Sequence, residues 1–294
     1  MRLLLGTRGS RLARTQSGHV ADLLRAQGHA VDLEIIQTRG DVEQGRPVPE
    51  LGGKGLFTAE LEAALLSRRV HLAVHSLKDL PTEDAEGLVV AAVTPREDPR
   101  DALVSRGPTL KELPAGARVG TASLRRRALL KRRRRDLEVV DLRGNVDTRI
   151  RKVHEGELDA VILAAAGVRR LGRADVIVEY LDFLPAPAQG ALAIQACGGS
   201  PDVLAALRPL HDEETSRCTR AERELLHLLE GGCSVPVGAL ATVAGATLTL
   251  RAIVAAPDGS RALEAESSGE DPEELGREVA TQLRAQGAEE ILSA

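Results

Sequence analysis

The run Val74-His75-Ser76-Leu77-Lys78-Asp79-Leu80-Pro81 gathers an imidazole, a hydroxyl, an ammonium and a carboxylate just after an apolar stretch, Leu72–Val74, that reads as a buried strand. Open α/β sheets bind ligands beyond the carboxyl ends of their strands. An acid beside an ammonium at such a place predicts a site that handles protons and anions together. Asp79 is the leading candidate, because a carboxylate among cations can stabilise a developing positive charge or shuttle a proton. Its structural alternative is to cap the turn ahead of Leu80-Pro81. His75 and Ser76 invite a hydrolase reading, but the chain has no G-x-S-x-G and no base ordered against the serine.

The basic residues gather where strands are expected to end. Arg8 and Arg11 flank Gly9-Ser10, Lys54 lies in Gly52-Gly53-Lys54-Gly55, Arg125 and Arg126 open a helix after Thr121-Ala122-Ser123, and Arg143 and Arg149 bracket Gly144-Asn145-Val146-Asp147-Thr148. Cations at a helix N-terminus oppose its dipole. Repeating that placement favours the binding of several carboxylates or phosphates, which arginine grips with a bidentate fork. Gly6–Ser10 and Gly120–Ser123 are similar cradles, each readable as an ordinary helix cap or as an anion seat. No segment matches G-x-x-x-x-G-K-[ST], which excludes a P-loop. Lys131–Arg135 is the obvious nucleic-acid lure, yet a charge run at a helix end is ordinarily a solvated face. Cys233 stands after Gly231-Gly232 and before Val235-Pro236, a constrained loop that presents a thiol as nucleophile or attachment point.

The elements that must position these residues alternate. Strands at Leu3–Leu5, Val31–Ile36, Leu72–Val74 and Leu88–Val93 are interleaved with helices at Leu12–Ala26 and Phe57–Leu66. The pattern restarts with strands at Arg118–Gly120, Val139–Leu142 and Ala160–Ala164 and helices at Leu124–Arg134 and Val146–His154. Such alternation predicts βαβ units and mostly parallel sheets. Pro95–Arg100 and Leu184–Gly190 read as boundaries, after which Ala191–Ala196 is a further strand. Beyond it come helices at Pro201–Leu210 and Thr219–Leu229, alternating runs at Val237–Val243 and Leu248–Ala255, and a last helix at Glu273–Gln286. The division expected is 1–95 with 190–209 as a first α/β domain, 96–189 as a second facing it across a cleft, and 213–294 as a small α+β domain.

Composition limits the function classes. With 294 residues, 43% hydrophobic and 28% charged, the chain is an ordinary globular protein long enough for two or three domains. A net charge of −4 gives no global case for nucleic acid, and the few aromatic residues (Phe57, Tyr180, Phe183) leave little to stack on bases. The longest apolar run, Ala160–Val168, is about half a membrane span. Three cysteines without C-x-x-C spacing argue against a disulfide framework and a zinc knuckle, and no metal is expected. The N-terminus lacks a signal peptide pattern, which predicts a cytoplasmic protein.

Taken together, Thr7–Ser10, Thr38–Asp41, Gly52–Phe57, Ala73–Pro81, Arg96–Asp101, Gly120–Arg126, Leu142–Arg149, Gln189–Ala191 and Glu230–Gly238 resemble the porphobilinogen deaminase (hydroxymethylbilane synthase) family, in order and over nearly the whole chain. The resemblance implies two α/β domains of the type II periplasmic-binding-protein kind and a third domain whose cysteine carries a dipyrromethane cofactor by a thioether. Four porphobilinogen units join that primer with loss of ammonia, and hydrolysis releases the linear tetrapyrrole of haem biosynthesis. It implies Asp79, with Lys78 and Arg8, in catalysis, and Cys233 as the attachment point. It also implies Lys54, Ser76, Lys78, Asp79, Thr121, Ser123, Arg125, Arg126, Arg143, Gly144 and Gln189 around the cofactor. Arg8, Ser10, Arg11, Phe57, Arg149 and Arg170 fall to the substrate. A cytoplasmic monomer is implied, with room for transient contact with the next pathway enzyme.

Four positions depart from the family pattern: Arg11 replaces a common proline, Ala122 a serine, Ala188 a glycine and Gln195 a glutamate. Two rival readings remain. An anion-binding protein would keep the arginines without needing Cys233, and a nucleic-acid binder would use residues 131–135 with a steep salt dependence.

Overall fold

The computed structural model describes residues 1–38, 58–229 and 235–293. In chain order the described elements are β1 (Arg2–Thr7), α1 (Arg11–Ala26), β2 (Ala30–Ile35), α2 (Ala59–Leu66), β3 (Leu72–Ser76), β4 (Leu88–Val93), β5 (Asp101–Ser105), β6 (Arg118–Gly120), α3 (Leu124–Arg133), β7 (Glu138–Val140), α4 (Val146–His154), β8 (Ala160–Ala164), α5 (Ala165–Arg170) and β9 (Glu179–Leu181). There follow β10 (Leu192–Cys197), α6 (Pro201–Leu207), α7 (Glu213–Leu228), β11 (Val237–Ala244), β12 (Thr247–Ala255), β13 (Ala262–Gly269), α8 (Pro272–Ala285) and α9 (Ala288–Leu292). The chain separates into two compact units, 1–97 with 191–216 and 98–190 with 217–294.

The first unit holds a five-stranded sheet in the order β2-β1-β3-β10-β4. β1 runs parallel to β2 and β3, and only β10 runs against its neighbours. Leu3, Leu5, Leu72, Val74 and Ile194 bury one face beneath Val20 and Leu24 of α1 and Val203 and Leu207 of α6. Ala73 and Leu88 bury the other face beneath Leu61 and Leu65 of α2. Covering both faces is what parallel strands need, and it explains why Leu72–Val74 is apolar without alternation.

The second unit repeats the plan. Its first sheet has the order β7-β6-β8-β5-β9, with β6 parallel to β7 and β8 and with β5 as the reversed strand. α3 packs Ala128, Leu129 and Leu130 on one face, and α4 packs Ile150 and Val153 on the other. The repeated strand order, followed by the smaller sheet β11-β12-β13 with α7 and α8 against it, is the expected α/β plus α+β architecture. Ile253 and Ala255 of β12 join the core under α3.

Several elements were not foreseen: β5, β9, β13, α5 and α9. α7 begins at Glu213 rather than Thr219, with Glu213 and Glu214 in its first turn, where acids suit the dipole. Among the described residues no helix is long and apolar enough to cross a membrane.

Candidate active site

Because β1 and β3 are parallel neighbours, their carboxyl ends share one edge of the first sheet. After β1 the chain turns through Arg8 and Gly9 into Ser10, whose side chain caps α1 by accepting from the Ala13 amide at 3.2 Å. Behind it Thr7 is fully buried and accepts from Ser17 at 2.8 Å. Arg8 is half-buried and Arg11 exposed on this edge. After β3, Leu77–Asp79 form one 3₁₀ turn pinned by Leu77 N–H to the Ala191 carbonyl at 3.0 Å. Asp79 ends that turn and is exposed, Lys78 and Ser76 are half-buried, and Gln16 donates to the Ser76 hydroxyl at 3.0 Å. Ser76, which precedes the turn, makes no side-chain cap hydrogen bond to it.

His75, in β3 just before Ser76, is 6% exposed, and its Nε2 has no hydrogen-bond partner among the described residues. Burial pushes its pKa down to about 4; the charge of Arg8 adds to that, and Gln195 opposes it. The imidazole is therefore neutral and belongs to the support of the edge. Gln195, on the adjacent β10, buries its Oε1 without a partner among the described residues.

The corresponding edge of the second unit collects the other candidates. Thr121 is buried after β6, its Oγ1 accepts from Ser123 N–H at 3.2 Å, and Ser123 caps α3 through Arg126 N–H at 3.4 Å. Ala122 is exposed between them. After β7, Gly144 takes a positive φ of 105° and accepts from Arg149 Nε at 2.7 Å. Arg143 lies 3.9 Å from Asp141, and Arg170 of α5 donates to the Gly190 carbonyl at 2.6 Å.

Arg125 and Arg126 are in a different situation from the one a free cation would have. They are 2% and 6% exposed and both pair with Asp101, which is fully buried at the start of β5. Gln189 donates to the same carboxylate at 2.9 Å and to the Pro99 carbonyl at 2.8 Å. Burial is the largest influence on the Asp101 carboxyl and pushes its pKa up, but the charges of Arg125 and Arg126, with their hydrogen bonds, outweigh it and hold it well below the carboxylate range. Reading the chain for cations found both arginines but not Asp101, whose motif looked like a charged boundary.

Glu222 was also missed. It is buried and accepts from Ala188 N–H at 2.6 Å and Ala241 N–H at 2.8 Å, and so braces Ala188, which adopts a positive φ of 62° just before Gln189. Lys54, Phe57 and Cys233 lie outside the described residues. A shallow depression of about 590 Å³ lined by Met1, Gln27, His29 and Asp202 lies at the amino ends of β1 and β2, opposite the candidate edge.

In the Lys131–Arg135 run, Arg132, Arg133 and Arg135 are exposed and Lys131 and Arg134 half-buried, and several of the side chains are engaged by the protein itself. Lys131 donates to the Leu137 carbonyl at 2.6 Å, Arg133 pairs with Asp182, and Arg134 pairs with Asp136 at 2.7 Å while donating to the Leu110 and Leu113 carbonyls. These contacts close the C-terminal end of α3, where cations oppose the free carbonyls favourably.

Each α/β sheet thus carries cations at its strand-end edge, and the first has an exposed acid beside them. The family comparisons supply the assignment. Residues 3–205 match the model described as "Porphobilinogen deaminase, dipyromethane cofactor binding domain", and residues 216–285 match "Porphobilinogen deaminase, C-terminal domain". The porphobilinogen deaminases of Rubrobacter xylanophilus and Acidithiobacillus ferrooxidans are each 50% identical to this chain, covering 99% of it and 96% and 97% of themselves. That of Syntrophobacter fumaroxidans is 46% identical over 98% of this chain and 96% of its own. Among solved structures, the methionine-binding protein MetQ aligns with a TM-score of 0.48 at 13% identity, over 73% of this chain and 92% of its own. The chain belongs to the porphobilinogen deaminase family.

The donors of the second unit fit the family's cofactor. Two guanidiniums face one carboxylate, leaving one positive charge in excess, and Arg125 Nε is buried without a partner among the described residues. A group bearing carboxylates satisfies both.

Proposed function

We propose that the chain joins porphobilinogen units head to tail, with loss of ammonia, onto a dipyrromethane held by a thioether to Cys233, and releases hydroxymethylbilane. The reading is supported above all by the convergence of Arg8, Ser76, Lys78 and Asp79 on one strand edge in a chain of this family. Each pyrrole brings an acetate and a propionate, so the cations at the two edges neutralise charge that grows with the product. The dipyrromethane, when bound, supplies the pyrrole end that receives the next unit.

The chain's own residues do the rest. Asp79 accepts hydrogen bonds from pyrrole N–H groups and stabilises the positive charge that develops there as ammonia departs and as rings couple. Lys78 and Arg8 hold carboxylates beside it, and Ser76, kept in place by Gln16, adds a hydroxyl. Ser10, Arg11, Phe57, Arg149 and Arg170 contact the incoming units. Lys54, Thr121, Ser123, Arg125, Arg126, Arg143, Gly144 and Gln189 surround the cofactor. The division into domains at 1–95 with 190–209, 96–189 and 213–294 belongs to the same proposal, as do a cytoplasmic location and a monomeric state.

The test is the intact mass of the purified protein with peptide mapping around Cys233. Added mass of two linked pyrroles on Cys233, growing in pyrrole steps with porphobilinogen, is the expected result. A Cys233 that stays unmodified with porphobilinogen present would overturn the reading in favour of an anion-binding protein.

A further inference from the structure

The segment 184–190 lies along the edge of the smaller sheet, whose outer strand here is β11. Ala239 N–H of β11 donates to the Pro185 carbonyl at 2.8 Å. Gly238 allows this approach, since a Cβ there would stand 2.6 Å from the Leu184 carbonyl oxygen. Two residues on from Ala239, Ala241 N–H donates to Glu222 Oε1 at 2.8 Å, and Oε2 of the same carboxylate accepts from Ala188 N–H at 2.6 Å. Glu222 is fully buried, so one enclosed carboxylate joins the edge strand to the segment beside it.

The backbone that Glu222 meets is a demanding one. Gln189 N–H donates to the Ala186 carbonyl at 2.9 Å and closes a four-residue turn with Pro187 and Ala188 at its centre. Proline first and a positive φ second, 62° at Ala188, is the type II pattern, whose second central position ordinarily takes glycine. The type I alternative turns the central peptide over and gives that residue a negative φ, which alanine adopts more easily. Glu222 selects between the two, because it accepts the N–H of the central 187–188 peptide in the orientation of the left-handed form. Out of that turn comes Gln189, whose side-chain amide donates to the Pro99 carbonyl at 2.8 Å and to Asp101 at 2.9 Å.

We infer that Glu222 is a positioning residue: it locks the left-handed turn at Ala188, thereby holds the Gln189 amide in place, and does so from α7, the helix that leads to Cys233. The inference rests on the proposed function, in which Gln189 lies beside the cofactor. It gives one buried carboxylate the task of relating the chain that bears the thioether to a side chain that meets the group attached there.

The test uses the full-length chain produced in a host that makes no porphobilinogen and then titrated with porphobilinogen. Mass added at Cys233 gives the half-loading concentration, and the melting temperature of the unloaded protein is followed separately. Glu222→Gln, which keeps one acceptor where two are needed, is expected to raise the half-loading concentration about fivefold or more. Ala188→Gly alone should load within about twofold of the parent, because Pro-Gly adopts the type II turn unaided. The double variant Glu222→Gln/Ala188→Gly should also load within about twofold of the parent while melting below Ala188→Gly, since a buried N–H still lacks its acceptor. A double variant that loads as poorly as Glu222→Gln would overturn the inference, and so would a Glu222→Gln protein that melts earlier but loads normally. Should Glu222→Gln not fold, Glu222→Asp is read by the same rescue, and impaired loading that Ala188→Gly does not restore would overturn the inference. A parent chain that loads no pyrrole would instead remove the proposed function on which the inference stands.

Discussion

Asp79 and Asp101 both stand where parallel strands of a five-stranded sheet end, one in each unit, yet their surroundings are opposite. Asp79 closes a single 3₁₀ turn and faces solvent beside Lys78. Asp101 is fully buried, with two guanidiniums and an amide on its oxygens. A carboxylate that must meet successive substrates has to remain reachable, whereas one enclosed by donors serves as a fixed part of the frame. The same side chain on the strand-end edge of each five-stranded sheet is thus open to solvent in one unit and locked into the frame in the other.

The comparison breaks most directly at Asp79. Asp79→Asn is expected to lower porphobilinogen consumption by about 10²–10⁴-fold, while the unfolding free energy from urea titration stays within about 0.5 kcal/mol of the parent because the site is exposed. An active variant would end the catalytic assignment. The reverse profile is expected at Asp101. Asp101→Leu strands two buried cations, and equilibrium unfolding should show a loss of about 3–5 kcal/mol; a loss under about 1 kcal/mol would show that the cluster does not support the fold.

His75 sharpens the contrast through pH. In the unfolded chain its imidazole takes up a proton near pH 6.5, but in the folded unit only near about 4. Its contribution is therefore complete above pH 6.5 and declines as pH falls toward 4, by roughly 3 kcal/mol in all. Melting curves of the parent against His75→Gln should differ in slope in that window and nowhere else. Gln195→Glu, which places a carboxylate beside the ring, should raise the folded value and shallow the decline. The smallest effect is expected at Ala188, whose left-handed backbone suits glycine: Ala188→Gly should stabilise by about 1 kcal/mol in the same unfolding assay. A destabilised glycine variant would mean that the Ala188 methyl contributes more through packing than its backbone loses.

Much of the fold is legible in the sequence because apolar strands and helix-spaced leucines alternate in it, and the duplicated strand order follows from that rhythm. What escaped has physical causes. β5 is a five-residue run, Asp101–Ser105, buried throughout, so it shows no alternation. It also follows a charged, proline-framed segment that reads as linker. β13, Ala262–Gly269, alternates against solvent with Glu and Ser and so lacks a strand's usual composition. α5 continues directly from β8 in one apolar stretch, where periodicity cannot mark the change. The cations of the site were readable as types and spacings. Which of them meet a buried partner was not, since Asp101 lies 24 residues from Arg125 and Gln189 lies 88 from Asp101.

The reversed strand β10 carries a consequence for synthesis. It lies between β3 and β4, but its residues follow the 98–190 stretch in the chain. When the first 97 residues leave the ribosome, β4 has no strand to pair with and β3 has one bare edge. The first β-sheet of the second unit draws all its strands from one continuous stretch and can close first, so the part of the chain made earliest is completed later. Exposed strand edges in a waiting segment invite misassociation, and a circular permutant that begins at Ala191 would bring β10 out ahead of its partners and remove the wait.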